Sequence, residues 1–326
     1  MEISVIIPVY NRAAIVGATL DSVLAQTHRP LQLILVDNYS TDDTLQVLHD
    51  FKRDHDCAGF EVLVTQEERH TAGAARNRGF ELATGEWVLF FDSDDLMAED
   101  LIESYVDVIG TAMTSKESID LVSAPSTLAF PDGTSRPAPF HKSDLFANHI
   151  LHAQLATQRY AVRREFFAAT DGWNSDLPGW NDWELGMRLL LARPRVAYME
   201  GRSRVTINHN GADSITGTEF HSRCGQWEHV IDIVEDEIDA SRLKVKYKTR
   251  YKRLLAYRRL VLAAQYVREG CIKDAKPLYR QAFRQLRDSY GDSWYWRWWV
   301  APVTRRLFAR IAAGKRGSAR IARLLY

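Results

Sequence analysis

A cluster of carboxylates, Asp92-Ser93-Asp94-Asp95, directly follows the apolar run Trp87–Phe91. Like charges at this spacing repel one another unless protons or a cation neutralise them. A hard divalent cation, Mn²⁺ or Mg²⁺, would bind one or two of these carboxylates and bridge to diphosphate oxygens, with water in its remaining positions. The cluster therefore predicts a metal and diphosphate site. The alternative is a solvated acidic turn in which Asp95 caps the next helix.

The residues around this cluster predict the elements that must position it. Short apolar runs alternate with segments in which apolar residues recur at helical spacing. We predict strands at Ile3–Ile7, Leu31–Val36, Phe60–Val64 and Trp87–Phe91, and helices at Ala13–Leu24, Thr41–Leu48 and Ala72–Leu82. Thr41 is the expected cap of the second helix. The alternation indicates right-handed βαβ units in a mainly parallel α/β sheet with helices on both faces.

Two further polar clusters follow predicted strands. Pro8, Tyr10 and Asn11 come at the end of the first strand, and Asp37-Asn38 follows the second. Parallel strands end at the same edge of a sheet, and helix N-termini point toward that edge. The topology alone therefore predicts that these clusters and the carboxylates converge on one ligand site.

The composition is that of a folded globular protein, with 46% hydrophobic and 26% charged residues. Cys57, Cys224 and Cys271 lack CxxC spacing, which indicates unpaired thiols in a reducing compartment and argues against disulfides or a zinc site. No basic segment precedes the apolar residues 3–9, and no apolar run approaches the roughly 20 residues of a membrane span. We therefore expect a cytoplasmic protein.

The charge distribution marks a boundary near residue 241. Residues 1–241 carry 19 Lys and Arg against 38 Asp and Glu, a net charge of −19, whereas residues 242–326 carry 23 against 4, a net charge of +19. Helical patterns begin near residue 219, and Gly270, Gly291 and Gly314 predict helix ends.

Between the acidic cluster and that helical region the pattern is looser. We predict a hairpin at Leu121–Phe130 with a turn at Pro131-Asp132-Gly133, a helix at Leu185–Leu191 and two short strands within Val196–Ile207. The predicted organisation is therefore one domain over residues 1–217, with a nucleotide-binding half at 1–97 and an acceptor half at 98–217. A helical, basic region at 218–326 follows it.

Four motifs in order give a specific resemblance. They are Ser4-Val5-Ile6-Ile7-Pro8-Val9-Tyr10-Asn11, Val36-Asp37-Asn38-Tyr39-Ser40-Thr41-Asp42, Ala75-Arg76-Asn77-Arg78-Gly79 and Phe91-Asp92-Ser93-Asp94-Asp95. Together they resemble family 2 of the inverting, nucleotide-sugar-dependent glycosyltransferases. The resemblance implies a Rossmann-like GT-A fold over residues 1–217 and sugar transfer to a hydroxyl, in surface polysaccharide or glycolipid assembly.

The resemblance assigns the first two motifs to the donor nucleotide. Pro8 and Tyr10 would line the nucleobase pocket, Tyr10 by stacking, with Asn11 beside them. Asp37 would lie at the base and ribose. Asn38 stands where the family usually has an aspartate that hydrogen-bonds uracil, and an amide also offers donors. A UDP-sugar is the favoured donor, while the base stays open.

The later motifs would form the diphosphate end of the site. Arg76 would reach the base or the phosphates, although an exposed helix cation is the alternative. Asp92, with Ser93 beside it, would face the ribose, and Asp94 would hold the divalent metal. His209 resembles a late histidine that completes the metal or diphosphate shell in some family members; imidazole suits Mn²⁺, and a structural histidine is the alternative.

Asp182 matches the aspartate of a Glu-Asp motif that serves as catalytic base in the family. Inversion requires in-line attack by a deprotonated hydroxyl, so the base must lie on the acceptor side. Asn181 replaces the glutamate of the motif, Asp182 could instead be a helix N-cap, and Glu184 is the second candidate base. The candidate acceptor contacts are Trp173, Trp180, Trp183 and Glu184, with core packing as the alternative for the aromatic rings.

The basic C-terminal region ends in an aromatic and arginine-rich segment. Its members are Trp294, Trp296, Trp298, Trp299, Arg305, Arg306, Arg310, Lys315, Arg316, Arg320 and Arg323. This pattern predicts peripheral attachment of residues 293–326 to the inner face of an anionic membrane, which would bring the enzyme to lipid-linked acceptors. The alternatives are contact with acidic residues of the same chain or another subunit, and nucleic acid.

Two other functional classes share parts of the pattern. A nucleotidyltransferase also needs a sheet, a metal and carboxylates, but the chain has no glycine-rich loop with a lysine near its start. A catalytically inactive nucleotide-sugar-binding module would keep the pocket and lose the base, and Asn181 is the one residue that favours it. The expected cofactor of the enzyme is a divalent metal.

Overall fold

A computed structural model describes residues 1–209, 220, 224–315 and 317–326. The chain forms two compact units: Met1–Lys142 with Gln154–Ser214, and Ser143–Ala153 with Ile215–Tyr326. The predicted boundary between residues 217 and 218 lies outside the described residues. The segment 143–153 groups with the helical unit, whereas the sequence placed it in the acceptor half.

The strands of the described residues are β1 (Ile3–Val9), β2 (Leu31–Asp37), β3 (Phe60–Gln66), β4 (Trp87–Phe90), β5 (Leu96–Met97), β6 (Leu121–Ser123), β7 (Ser126–Ala129), β8 (Ser135–Ala138), β9 (Tyr160–Arg163), β10 (Val196–Tyr198) and β11 (Val205–Asn208). Within that part of the chain, one sheet has the order β10-β6-β9-β4-β1-β2-β3 and a second has the order β5-β11-β7-β8. The first sheet is parallel except where β9 runs antiparallel to β4 and β6.

The helices are α1 (Val16–Leu24), α2 (Thr44–His55), α3 (Ala72–Leu82), α4 (Leu101–Thr114), α5 (Leu145–His152), α6 (Arg164–Ala168), α7 (Asn181–Leu191), α8 (Gln226–Ala240), α9 (Val245–Arg268), α10 (Ile272–Tyr290), α11 (Ala301–Ala312) and α12 (Ser318–Leu325). The predicted mixed α/β GT-A-like domain followed by helices is confirmed. No helix among the described residues is long and apolar enough to cross a bilayer.

The core follows from the two-residue period of the strands. Val5 and Ile7 on β1 contribute to one apolar cluster, and Ile6 contributes to the other. Successive side chains of a strand point to opposite faces, and parallel strands of this kind are covered on both sides. The continuous apolar run therefore holds β1 in the middle of the sheet and fixes where its polar end emerges.

Three local predictions are wrong. Thr41 does not cap α2, whose N-cap residue is Asp43, and the Thr41 amide instead donates to Asn11. Asp95 does not cap the following helix, because α4 begins at Leu101 after the short strand β5. The hairpin does turn at residues 131–134, but it pairs β7 with β8, while β6 belongs to the other sheet. Short segments of this kind gain their partners from tertiary pairing that no local pattern encodes.

The second unit is helical, with α9 packed against α5, α8, α10, α11 and α12. Gly270, Gly291 and Gly314 follow helix ends with φ of 82°, 65° and 74°. Only glycine adopts this left-handed region at little cost. The predicted helix ends are confirmed at these three positions, and α12 is an additional helix that the sequence reading did not include.

Candidate active site

The ends of β1 and β2 are tied together by polar side chains. Asn11 accepts a hydrogen bond through Oδ1 from the Thr41 amide at 2.8 Å. Asp37 is fully buried, and its carboxylate accepts from Nε2 of Gln66 at 2.9 Å and from the Ser40 amide at 3.3 Å. Asp37 therefore shapes the loop that forms the edge of the site, because its oxygens are occupied by groups of the chain itself.

Asn38 is 5% exposed, and both of its amide hydrogens are engaged by the chain. Nδ2 donates to the carbonyl oxygens of Glu67 at 2.8 Å and Arg69 at 2.7 Å. Two carbonyl partners fix the orientation of the amide, since a carbonyl can only accept. The side chain consequently presents only an acceptor, Oδ1, for any further hydrogen bond.

An exposed aromatic cluster lies beside these loops. His70 contacts Tyr10 and Tyr39 edge-on, with ring centroids 6.0 and 6.2 Å away. Tyr10 and Tyr39 are 49% and 45% exposed, and Tyr39 has a φ of 59°. A left-handed backbone is unfavourable for a bulky residue and is concentrated at functional sites. The three rings offer a stacking surface of the kind that a planar base requires.

Arg76 on α3 lies at the end of β4 and is 5% exposed. Its Nη2 donates to Oδ1 of Asp92 at 2.6 Å, and its guanidinium lies 4.4 Å from the ring of Trp173. Among the described residues its Nε and Nη1 are buried without a hydrogen-bond partner. Unsatisfied buried donors are costly, so this arrangement favours an anionic ligand. The exposed-cation alternative is wrong, because the side chain is buried.

The other members of the Arg76 motif hold it in position. Asn77 donates through Nδ2 to the Trp173 carbonyl at 2.8 Å and accepts from the Trp173 amide at 2.9 Å. Gly79 lets α3 approach the sheet closely, since a Cβ there would lie 2.4 Å from Cγ2 of Ile6. The motif thus combines one buried cation with two residues that fix its helix and its aromatic neighbour.

Asn208 at the end of β11 holds the backbone of Asp94 and the carboxylate of Asp95. Asn208 donates from Nδ2 to the Asp94 carbonyl at 2.7 Å and from its amide to Oδ1 of Asp95 at 2.8 Å. Asp95 is 2% exposed and also accepts from Gln158. Burial raises the pKa of Asp95 to about 9, and the charge on Asp92 adds to the rise. Asp95 is therefore a structural member of the cluster.

Asp94 retains 25% of its side-chain exposure, and Nη2 of Arg12 lies 4.0 Å from its Oδ2. His209 directly follows Asn208, which brings it to the same end of β11 as Asp94. Its amide donates to the Ala129 carbonyl at 2.8 Å, and its ring stacks on Phe130 at 5.2 Å. Ser93 is largely buried, with 7% exposure.

The residues that the structure describes contain no group of three or more His, Cys, Asp and Glu side chains that could hold a metal. The carboxylate pair still fits a hard divalent cation. Mg²⁺ and, by its oxygen preference, Mn²⁺ bind through one or two carboxylates when substrate phosphates and water complete the shell. Asp94, partly exposed beside Asp92, offers this type of donor set.

Asp182 lies in the first turn of α7, and its Oδ1 accepts from the Trp183 amide at 2.8 Å. The N-cap residue is Trp180 with a φ of 53°, so the N-cap alternative for Asp182 is wrong. Burial raises the pKa of the Tyr160 phenol, and the charge on Asp182 raises it further while Arg76 lowers it. Tyr160 on β9 thus experiences the fields of both residues.

Two acceptor-side candidates point into the protein. Trp183 and Glu184 are each 1% exposed. Glu184 forms a bidentate pair with Arg188, at 2.5 Å from Nε to Oε1 and 2.9 Å from Nη2 to Oε2. Their burial argues against contact with an acceptor and against Glu184 as the base. Trp180 is half-buried, with its ring 5.7 Å from that of Trp183, and it keeps surface for such a contact.

Comparison with known proteins identifies the family. Residues 4–122 match the family described as Glycosyl transferase family 2. A PGL/p-HBAD biosynthesis glycosyltransferase of Mycobacterium tuberculosis (strain ATCC 25177 / H37Ra) is 31% identical over 193 residues, which cover 57% of this chain and 68% of that protein. This chain belongs to glycosyltransferase family 2.

Solved structures share the fold of this glycosyltransferase. S. aureus TarS 1–349 in complex with UDP-GlcNAc superimposes with a TM-score of 0.71 at 17% identity, over 99% of this chain and 91% of that one. The mannosyltransferase PcManGT from Pyrobaculum calidifontis, in complex with GDP-Man and Mn²⁺, gives 0.57 at 18% identity, over 99% and 86%. Both of these proteins bind nucleotide sugars in those structures.

The glycosyltransferase brings most of its predicted donor residues to one sheet edge. Pro8 pairs with Val36 there, next to the loops that hold Tyr10, Asn11, Asp37 and Asn38. The sequence did not single out Arg12, Tyr39 or His70. Arg12 follows Asn11 directly and Tyr39 lies inside a motif, so both had a positional signal, whereas the ring partners of His70 are distant in sequence. Trp173, a predicted acceptor contact, is 2% exposed and lies against the Arg76 guanidinium, which favours its core-packing alternative.

Proposed function

We propose that this glycosyltransferase moves a sugar from a nucleoside diphosphate sugar to a hydroxyl acceptor with inversion and with a divalent metal. The observation that carries the proposal is the pair formed by the buried Arg76 and the partly exposed Asp92, close in sequence to Asp94, which is 25% exposed. Two nitrogens of the Arg76 guanidinium, Nε and Nη1, have no hydrogen-bond partner among the described residues. Donors and positive charge held in place before the ligand binds stabilise developing charge most effectively. Arg76 would bind the donor diphosphate and Asp94 would hold the metal.

The metal, when bound, would neutralise charge on the departing diphosphate. The other roles in the reaction are proposed for side chains of this protein. Asp92 orients Arg76, while the Trp173 ring supports the guanidinium from the other side. Asp182 would accept the proton from the attacking hydroxyl on the face opposite the diphosphate, as inversion requires. Asn181 has no proposed chemical role. Its Oδ1 accepts a hydrogen bond from the Asp182 amide at 3.0 Å.

The proposed donor base is uracil. Asn38 has given both amide hydrogens to the chain, so its Oδ1 would accept a hydrogen bond as an aspartate does. A uracil N3–H supplies the matching donor, whereas cytosine has an acceptor at that position. Tyr10, Tyr39 and His70 would provide the stacking surface. UDP-GlcNAc bound to TarS supports a uridine nucleotide in this fold.

The acceptor is proposed to be a saccharide or a lipid-linked hydroxyl in surface polysaccharide or glycolipid assembly. The mycobacterial relative is named for PGL/p-HBAD biosynthesis, which supports a glycolipid context. The proposal includes an anionic membrane surface as a partner of residues 293–326, which contain eight Lys and Arg and no Asp or Glu.

The experiment is a thermal-shift titration of wild type, Asp94→Ala and Asp182→Asn with UDP, CDP and UDP-sugars, with and without Mn²⁺. A ligand that binds only the native state raises the unfolding temperature. We expect UDP and Mn²⁺ to stabilise wild type and Asp182→Asn together, and Asp94→Ala to lose the Mn²⁺-dependent part. Turnover by Asp182→Asn should fall by about 10³-fold or more.

Three results would contradict the proposal. Retained turnover by Asp182→Asn rejects the base, and stabilisation by every nucleotide except uridine nucleotides rejects the donor. Failure of all donors to stabilise wild type favours the inactive binding module. Glu184→Gln is the control for the base: it removes the other carboxylate in the first turn of α7, which is buried and paired with Arg188, and should lower stability while leaving turnover per folded molecule unchanged.

A further inference from the structure

The four tryptophans of the C-terminal segment divide into one buried and three exposed side chains. Trp296 is 4% exposed and packs against Phe283 at 5.1 Å and Tyr290 at 6.1 Å. Trp294, Trp298 and Trp299 are 68%, 75% and 59% exposed. Trp296 begins the π-helical turn Trp296–Val300, which runs directly into α11. Packing of Trp296 thus anchors a turn that directs neighbouring indoles outward.

Exposed arginines follow this turn on α11. The buried residues of α11 are Ala301, Thr304 and Leu307, and Thr304 is fixed by a hydrogen bond to the Tyr326 hydroxyl. Arg306 and Arg310 are four residues apart, so they lie on the same side of α11. We define the aromatic–basic face by its exposed side chains: Trp294, Trp298, Trp299, Arg305, Arg306 and Arg310.

We propose that the aromatic–basic face docks on an anionic phospholipid surface, with Trp298 and Trp299 at the level of the headgroups and Arg306 and Arg310 on lipid phosphates. Three exposed tryptophans within six residues concentrate apolar surface locally, and such surface marks an interaction site. A headgroup zone meets both needs at once: it offers anions to the arginines and an acyl boundary to the indoles. Because residues 293–326 contain no acidic side chain, nothing in that segment opposes such a surface.

This inference rests on the proposed membrane partner and is independent of the transfer chemistry. The test measures co-sedimentation of the full-length protein with sucrose-loaded vesicles. The vesicles contain phosphatidylcholine alone or phosphatidylcholine with about 30% phosphatidylglycerol. Wild type should bind the anionic vesicles and should not bind the neutral ones. Its affinity for the anionic vesicles should fall at high salt. Bromine in the acyl chains should quench part of the tryptophan emission only in the anionic vesicles.

Two double variants locate the surface. Trp298→Ser/Trp299→Ser should reduce partitioning on the order of ten-fold and abolish the bromolipid quenching. Arg306→Ala/Arg310→Ala should reduce it about 25-fold, since each cation near an anionic surface contributes about five-fold. Arg280→Ala/Arg284→Ala is the matched control, because it removes the same charge from exposed positions of α10. It should change partitioning by about two-fold or less.

Several outcomes would overturn the inference. They are absence of vesicle binding by wild type at low salt, an equal loss in the α10 control, and quenching that survives the tryptophan change. A dimer that Trp298→Ser/Trp299→Ser converts to monomer, without vesicle binding, would assign the face to a second copy. Single-stranded oligonucleotide binding that is lost in both face variants, again without vesicle binding, would assign it to nucleic acid.

A nucleotide control keeps this result separate from the proposed function. UDP-dependent stabilisation should be unchanged in both face variants, because the altered side chains are exposed and belong to the helical unit. If UDP fails to stabilise wild type while vesicles still bind it, the donor proposal fails and the membrane inference stands. The reverse pattern rejects the membrane inference alone.

Discussion

Each of the two units contains a buried arginine, and these two side chains differ in the number of partners that they bond. Arg259 in the helical unit is 1% exposed and bonds Asp232 at 2.5 Å, Glu235 at 2.8 Å and Gln285 at 3.2 Å. Arg76 in the catalytic unit has one carboxylate partner and two unpartnered nitrogens among the described residues. Among the described residues only Nε of Arg259 lacks a partner, whereas both Nε and Nη1 of Arg76 lack one. This difference in the number of partners is expected if Arg259 serves the fold and Arg76 serves the proposed ligand.

The largest expected effect is on catalysis at Arg76. Arg76→Met should lower kcat/KM by about 10³-fold, or about 4 kcal/mol of transition-state stabilisation, because it removes positive charge at the diphosphate. Chemical denaturation should show a much smaller loss of folding free energy, since Asp92 remains partly exposed to water. Steady-state kinetics and a urea titration of the same preparation measure both quantities. A stability loss that matched the catalytic loss would remove the contrast with Arg259.

Arg259→Met should show the opposite pattern. Removing the guanidinium leaves the partly buried Glu235 with the more distant Lys252, at 3.4 Å, as its cation and removes the ion pair with Asp232. The expected cost is about 3 kcal/mol in the free energy of unfolding. Turnover per folded molecule should stay within about two-fold of wild type, because Arg259 belongs to the helical unit. Urea denaturation followed by circular dichroism gives the stability, and active-site titration corrects the rate for the folded fraction.

Asp120 extends the comparison to a carboxylate of the catalytic unit that is paired with two arginines. It bonds Arg163 at 2.7 Å and Arg195 at 2.9 Å, and hydrogen bonds from Arg195 hold its pKa well below the usual range. A depressed pKa contributes stability that is present above about pH 4 and is lost as pH falls toward the folded-state pKa. Asp120→Asn should therefore cost about 2 kcal/mol at pH 7.

The check on Asp120 is a pair of urea titrations at pH 7 and pH 3. The difference in unfolding free energy between wild type and Asp120→Asn should be smaller at the lower pH, because the wild-type carboxylate contributes less stability there. A gap of equal size at both pH values would mean that the stability comes from packing and not from the charge. Turnover at pH 7 should be unaffected in the folded fraction.

Gly79→Ala is expected to have the smallest effect of the four. The added methyl group would meet Ile6 at 2.4 Å and push α3 away from β1, at a cost of about 1.5 kcal/mol. A rise in KM for the donor should accompany it, because Arg76 lies on the displaced helix. Gly110→Ala on α4 is the control: its Cβ meets nothing within 4 Å, so thermal unfolding should show slight stabilisation.

The sequence predicted where the proposed donor residues lie in the fold better than it predicted the burial of the proposed acceptor residues. Tyr10, Asn11, Asp37 and Asn38 follow strands whose apolar runs were unambiguous, so the sheet edge could be predicted. The acceptor candidates depended on burial: Trp183 and Glu184 occupy interior positions of α7 while Trp180 does not. A helix of mixed composition does not reveal which of its faces the core will cover.

Local sequence determined that this chain is an α/β protein with carboxylates at a strand end, since strand polarity and side-chain alternation are properties of the backbone. The tertiary structure decided the surroundings of each carboxylate. Asp95 is buried by Gln158 and Asn208, Asp92 is paired with Arg76, and Asp94 is 25% exposed with Arg12 at 4.0 Å. The reason is that each of these partners is at least 16 residues away in sequence, and contacts at that separation exist only once the sheet has formed.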